Sequence, residues 1–131
     1  MELEAVMTDR ELLELAAKAV GMDVHWGEAW QSEMMFRVIP RPNSPLVSNI
    51  EWNPLTDDGD ALRLAVSLGI DLLFTAEDVE AIATQHARQE DQEMISPWAC
   101  ESWTRKPQDP YAATRRAIVR AAAEIGKQME K

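Results

Sequence analysis

Three carboxylates crowd the segment Asp57-Asp58-Gly59-Asp60. Such a cluster is where calcium binding or paired acid/base chemistry is first sought. Neither fits. A calcium loop of the EF-hand type starting at Asp57 needs a glutamate where the chain has Leu68. Adjacent acids at a water-exposed helix start stay ionised, so no proton-sharing pair is set up. Helix capping is the better account of these residues. Cys100 lies between Ala99 and Glu101 with no local base to generate a thiolate. His25 and His86 are far apart in sequence and read as ordinary histidines. Gly21, Gly27, Gly59, Gly69 and Gly126 are isolated, so no phosphate-cradling loop exists. Neither a nucleophile elbow nor a paired-histidine zinc motif is present. The expectation is therefore a protein that is not an enzyme, with no catalytic residue, no cofactor and no metal.

The aromatic balance points elsewhere. Five tryptophans stand against two phenylalanines and one tyrosine. Trp52 precedes a helix and reads as core. Trp30, Trp98 and Trp103 fall in irregular stretches, and Trp30 is close to Met34, Met35 and Phe36. Large apolar side chains of this kind make protein-binding hot spots. These six residues, with Asp57 and Asp58 as acidic neighbours of a basic partner, form the expected protein-binding set.

Charge supports a protein partner over nucleic acid. The formal net charge is -10. Residues 1–101 carry 20 acids and 6 bases, a net of -14; residues 102–131 carry 3 acids and 7 bases, a net of +4. Phosphate contacts need Lys or Arg, so an acidic body disfavours direct nucleic-acid binding. It suits a partner with a basic surface, or serves solubility alone. No apolar run approaches the roughly 20 residues of a membrane span, and Met1-Glu2-Leu3-Glu4 is acidic where a secretion signal is basic. A lone cysteine fits a reducing cytoplasm.

The length of 131 residues predicts one domain, with 1–6 as a loose extension. Thr8 and Glu11 form a capping box opening a helix over 8–20, which Gly21 ends. Two or three strands are expected in 23–52, around the three prolines of 40–45. A second helix opens near Asn53 or Asp60, with Asp60 as the cap of its main run and Leu62, Leu64, Ala65, Val66 and Leu68 as its apolar set; Gly69 ends it. Strands over 70–74 and 79–84 flank a hairpin turn, helix over 76–88 being the alternative. Another strand is expected in 94–103, broken at Pro97. The last helix starts at Asp109-Pro110 and runs to about Met129, with a stripe of Tyr111, Ile118, Val119, Ala122, Ile125 and Met129. The pairs Asn53-Pro54 and Asp109-Pro110 suggest a pseudo-repeat of strands followed by an Asx-Pro helix start. The expected class is α+β: an α/β sandwich with helices packed on a small, mainly antiparallel sheet.

Three segments carry a resemblance as a set. They are Met7-Thr8-Asp9-Arg10-Glu11-Leu12-Leu13-Glu14-Leu15-Ala16-Ala17-Lys18-Ala19, then Trp52-Asn53-Pro54-Leu55-Thr56-Asp57-Asp58-Gly59-Asp60-Ala61-Leu62-Arg63-Leu64-Ala65-Val66, and finally Asp109-Pro110-Tyr111-Ala112-Ala113-Thr114-Arg115-Arg116-Ala117-Ile118-Val119-Arg120-Ala121-Ala122. In this order they resemble the phage ABA sandwich domain family, small proteins of tailed phages and prophages. The resemblance spans about half the chain. It implies an α/β sandwich and a life in the bacterial host cytoplasm. It brings no activity and no catalytic residues. The chain departs from the family pattern at 28–50 and 85–107.

The functional expectation is a phage accessory protein that binds, and thereby inhibits, a host macromolecule such as a defence system, in the manner of anti-CRISPR proteins. Its partner is a host or phage protein, with a basic nucleic-acid-binding surface as one form. Two other classes stand beside it. One is a small-ligand binder or enzyme with a pocket in the sandwich. The other is a structural homo-oligomer, a homodimer for instance, built on the alanine-rich last helix.

Overall fold

The computed structural model describes residues 7–29, 32–83, 97–104 and 108–129. The chain runs α1 (Asp9–Ala19), β1 (Val24–Ala29), β2 (Ser32–Pro40), β3 (Val47–Glu51), α2 (Asp58–Leu68), β4 (Asp71–Phe74), β5 (Asp78–Ile82), β6 (Trp98–Ser102) and α3 (Pro110–Gln128). This is an α+β fold in the order helix, strands, helix, strands, helix. The strands form two sheets: β1-β2-β3 (sheet A) and β4-β5-β6 (sheet B), each antiparallel throughout. Residues 1–6, Trp30, the segment 84–96 and 105–107 lie outside the described residues, as does most of the alternative helix over 76–88; within it, Asp78–Ile82 is strand.

Local chemistry explains most boundaries. The Thr8 hydroxyl accepts from the Glu11 backbone N–H (3.1 Å), and the Thr8 N–H donates to Glu11 Oε1 (2.9 Å). These Thr8 donors hold the Glu11 carboxyl below the usual glutamate range. Gly21 takes φ 67°, and the N–H groups of Gly21 and Met22 donate to Lys18 and Ala17, closing α1. Gly69 at φ 65° closes α2 in the same way.

The two Asx-Pro pairs prove different. Asp109 caps α3, accepting from the Tyr111 N–H at 3.2 Å, with Pro110 in the first turn. Asn53-Pro54 instead forms a separate turn: Asn53 Oδ1 accepts from Leu55, and its carbonyl from Thr56 and Asp57. The cap of α2 is Asp57, not Asp60. Asp60 turns inward, where its carboxylate accepts the Asn53 N–H (3.0 Å) and Arg63 Nη2 (2.8 Å). The apparent repeat is thus one of spelling and not of structure.

The core is densest around α3. Ala113, Ala117, Val119, Ala121, Ala122 and Ala123 are fully buried. This helix packs on α1, on α2 and on strands β5 and β6. Its alanines, Ala112 apart, are buried within the protomer. A Cβ at Gly126 would lie 2.1 Å from the Leu15 carbonyl oxygen, so the α1–α3 crossing requires glycine there. Tyr111 and Met129, expected on the buried stripe, are exposed, because α3 buries through its alanines. Leu62 and Val66 are likewise exposed, at 60% and 73%; α2 buries Ala61, Leu64, Ala65 and Leu68. Helical geometry puts these four on one face and Leu62 with Val66 on another.

Candidate binding surfaces

The sequence-predicted set is scattered over the molecule. Met35 is buried in the core and has no surface to offer a partner. Met34 and Phe36 point from the opposite face of β2, where Phe36 stacks on His25 with ring centroids 5.6 Å apart. His25 Nε2 also lies 3.1 Å from Asn49 Oδ1. Trp103 is half-buried against the core. Trp98 is 55% exposed on sheet B. Asp57 is the cap described above, and Asp58 is paired with Arg115 at 2.6 Å. Arg115 also donates from Nε to the Leu55 carbonyl, so this pair fastens the start of α2 to α3. The two acids therefore have structural work at the place where a partner contact was expected.

Sheet B has two contrasting faces. Val79, Ala81, Ala99 and Glu101 face α3 and are buried. Glu101 is held there by Arg120 from α3, with Gln108 Nε2 at 3.2 Å and Arg116 Nε at 4.0 Å. The outer face is set by register. Leu73 pairs with Glu80 and Glu80 with Cys100; Asp71 pairs with Ile82 and Ile82 with Trp98; Asp78 pairs with Ser102. Leu73 is 55% exposed. The face therefore carries Leu73, Ile82 and Trp98 among Asp71, Asp78 and Glu80. Cys100 lies on the same face. Burial, then the charges of Asp78, Glu80 and Glu101, push its thiol up from the ordinary cysteine value. A raised thiol is a poor nucleophile at neutral pH.

Sheet A meets the helices differently. Trp26 donates its indole N–H to Glu14 Oε2 at 2.9 Å, and the Arg10 guanidinium lies 4.4 Å from the Trp26 ring centroid. Arg10 also pairs with Glu33. Further along β2 a cleft of about 650 Å³ opens between the ends of α1 and α2, and a second of about 380 Å³ adjoins it. Val20, Met22, Arg37 and Ser67 line both.

Arg37 is the residue that sequence reading passed over. Its Nε is buried, and among the described residues it has no hydrogen-bond partner. Every helix arginine in the described residues has a carboxylate: Arg10, Arg63, Arg115, Arg116 and Arg120. The signal was present, since Arg37 is the one charge inside the apolar run 34–39. Among the described residues, no group of three His, Cys, Asp or Glu side chains could hold a metal ion, and no helix is long and apolar enough to cross a membrane.

No family model matches the chain, and no curated protein or solved structure resembles it significantly.

Proposed function

We propose that this is a phage accessory protein that acts in the bacterial host cytoplasm by binding a host protein, without catalysis, and that it docks through the outer face of sheet B. The observation that carries this reading is the cross-strand pair of Ile82 and Trp98 with Leu73 on the same sheet face, Leu73 and Trp98 being more than half exposed. A tryptophan and two aliphatic side chains on one sheet face suit the centre of an interface. Asp71, Asp78 and Glu80 surround them, so the fitting partner offers an apolar pocket rimmed by Lys or Arg. A basic nucleic-acid channel of a host defence complex has that character. The phage assignment draws on the three sequence segments given above.

The test compares the wild-type chain with Trp98→Ala in capture from lysates of several bacterial hosts. The expected result is a partner retained by the wild type and lost by W98A, with thermal stability unchanged within about 0.5 kcal/mol. A partner retained equally by W98A and by Leu73→Ser would overturn the docking face. A second reading, a small-ligand binder, is favoured by one observation: the cleft that holds Arg37.

A further inference from the structure

The Arg37 cleft is independent of sheet B, and its chemistry is specific enough to name a ligand class. We infer that it binds an apolar ligand ending in a single carboxylate, with the head on Arg37 and the body against Val20, Met22, Leu62 and Val66.

The argument begins with what Arg37 lacks. A buried guanidinium N–H with no acceptor is costly, and proteins of this size leave few such groups. The chain has 23 acidic residues, yet among the described residues none pairs with this arginine. The helix ends beside it do not substitute. Ala19 and Val20 from α1 and Ser67 and Leu68 from α2 border the cleft, and helix C-termini favour a cation nearby. The carbonyls of the last turn of each helix are already taken, however. Ala16, Ala17 and Lys18 accept from Val20, Met22 and Gly21, while Ala65 and Val66 accept from Ile70 and Gly69. The two helix ends favour a positive charge in the cleft, and Arg37 Nε still lacks an acceptor among the described residues.

The rest of the lining sets the ligand's shape. Leu62 and Val66 stand one helical turn apart on the exposed side of α2. These surfaces gain from covering an apolar body. Arg63 also lines the cleft, but Asp60 and Asp57 neutralise it. Asp23 stands on the opposite rim. Arg37 is the one cation of the described lining without an acid, so the cleft has room for one negative charge at most and disfavours a polyphosphate.

Octanoate and octanol, titrated calorimetrically, test this directly. They share an apolar chain and differ in the head. The wild-type chain is expected to bind octanoate more tightly than octanol. Arg37→Met is expected to weaken octanoate about tenfold or more while leaving octanol unchanged. It should not lower the melting midpoint, because it removes an unpaired buried donor. Val66→Glu, at an exposed position, is expected to weaken both ligands. A wild-type chain without a preference for octanoate, or an R37M chain that keeps it, overturns the inference. If R37M does not fold, the wild-type preference and the loss in V66E decide.

Discussion

Sheet B turns Val79, Ala81 and Ala99 toward α3, whereas sheet A turns Trp26 and Met35, with the adjoining Trp52, toward α1 and α2. Small side chains let the centre of sheet B lie close on an alanine-rich helix, while Phe74, on the same face at its edge, stays exposed. Larger side chains, Trp26, Met35 and Trp52, pack on the core from sheet A. Beyond Met35, at Arg37, the cleft opens. One sheet is therefore tightly packed at the centre of its inner face, with Leu73 and Trp98 exposed outside; the other is open inside. The two candidate surfaces follow from the same choice of side-chain size, made oppositely on the two sheets.

Substitutions at these positions probe the contrast. Trp52→Ala should have the largest effect, about 3–5 kcal/mol of lost stability by denaturant unfolding, since Trp52 is buried in the core. It should also abolish octanoate binding. Ala81→Leu should cost about 1–3 kcal/mol through overpacking, because sheet B has no slack against α3. If A81L proves neutral, sheet B is as loosely backed as sheet A and the contrast fails. Asp57→Ala should cost about 1 kcal/mol as a lost cap, with partner capture unchanged. Capture lost in a folded D57A would restore Asp57 to the binding set. The smallest effect concerns Cys100. Its raised pKa means less thiolate at any pH below that value, so alkylation by iodoacetamide at pH 8 should run slower than for a free cysteine. Equal rates would show that the outer face of sheet B leaves the thiol unperturbed.

Much of the frame was legible in the sequence because it rests on local chemistry. The Thr8–Glu11 box, the turns at Gly21 and Gly69, and the Asp109-Pro110 start each act within a few residues. What could not be read depends on distant partners. Asp60 was a plausible cap until the fold supplied the Asn53 N–H for it to accept. Leu62 and Val66 match helical spacing, but which stripe of α2 is buried is set by α3. The division of six strands into two sheets has no sequence marker of its own. The expected binding set dispersed because strand alternation sends Met35 one way and Met34 and Phe36 the other. Arg37 escaped because its meaning is a missing partner, which only three dimensions reveal.

The contact at Gly126 has a bearing on how the chain assembles. It joins the first helix to the last across 111 residues of sequence, from Leu15 to Gly126. During synthesis from the N-terminus, the apolar side of α1 is finished long before α3 exists to cover it. Its contacts with Trp26 and Glu33, through Glu14 and Arg10, are by contrast with residues made before α3. The first helix is thus joined to early-made sheet A by polar side chains and to the last-made helix by close backbone packing.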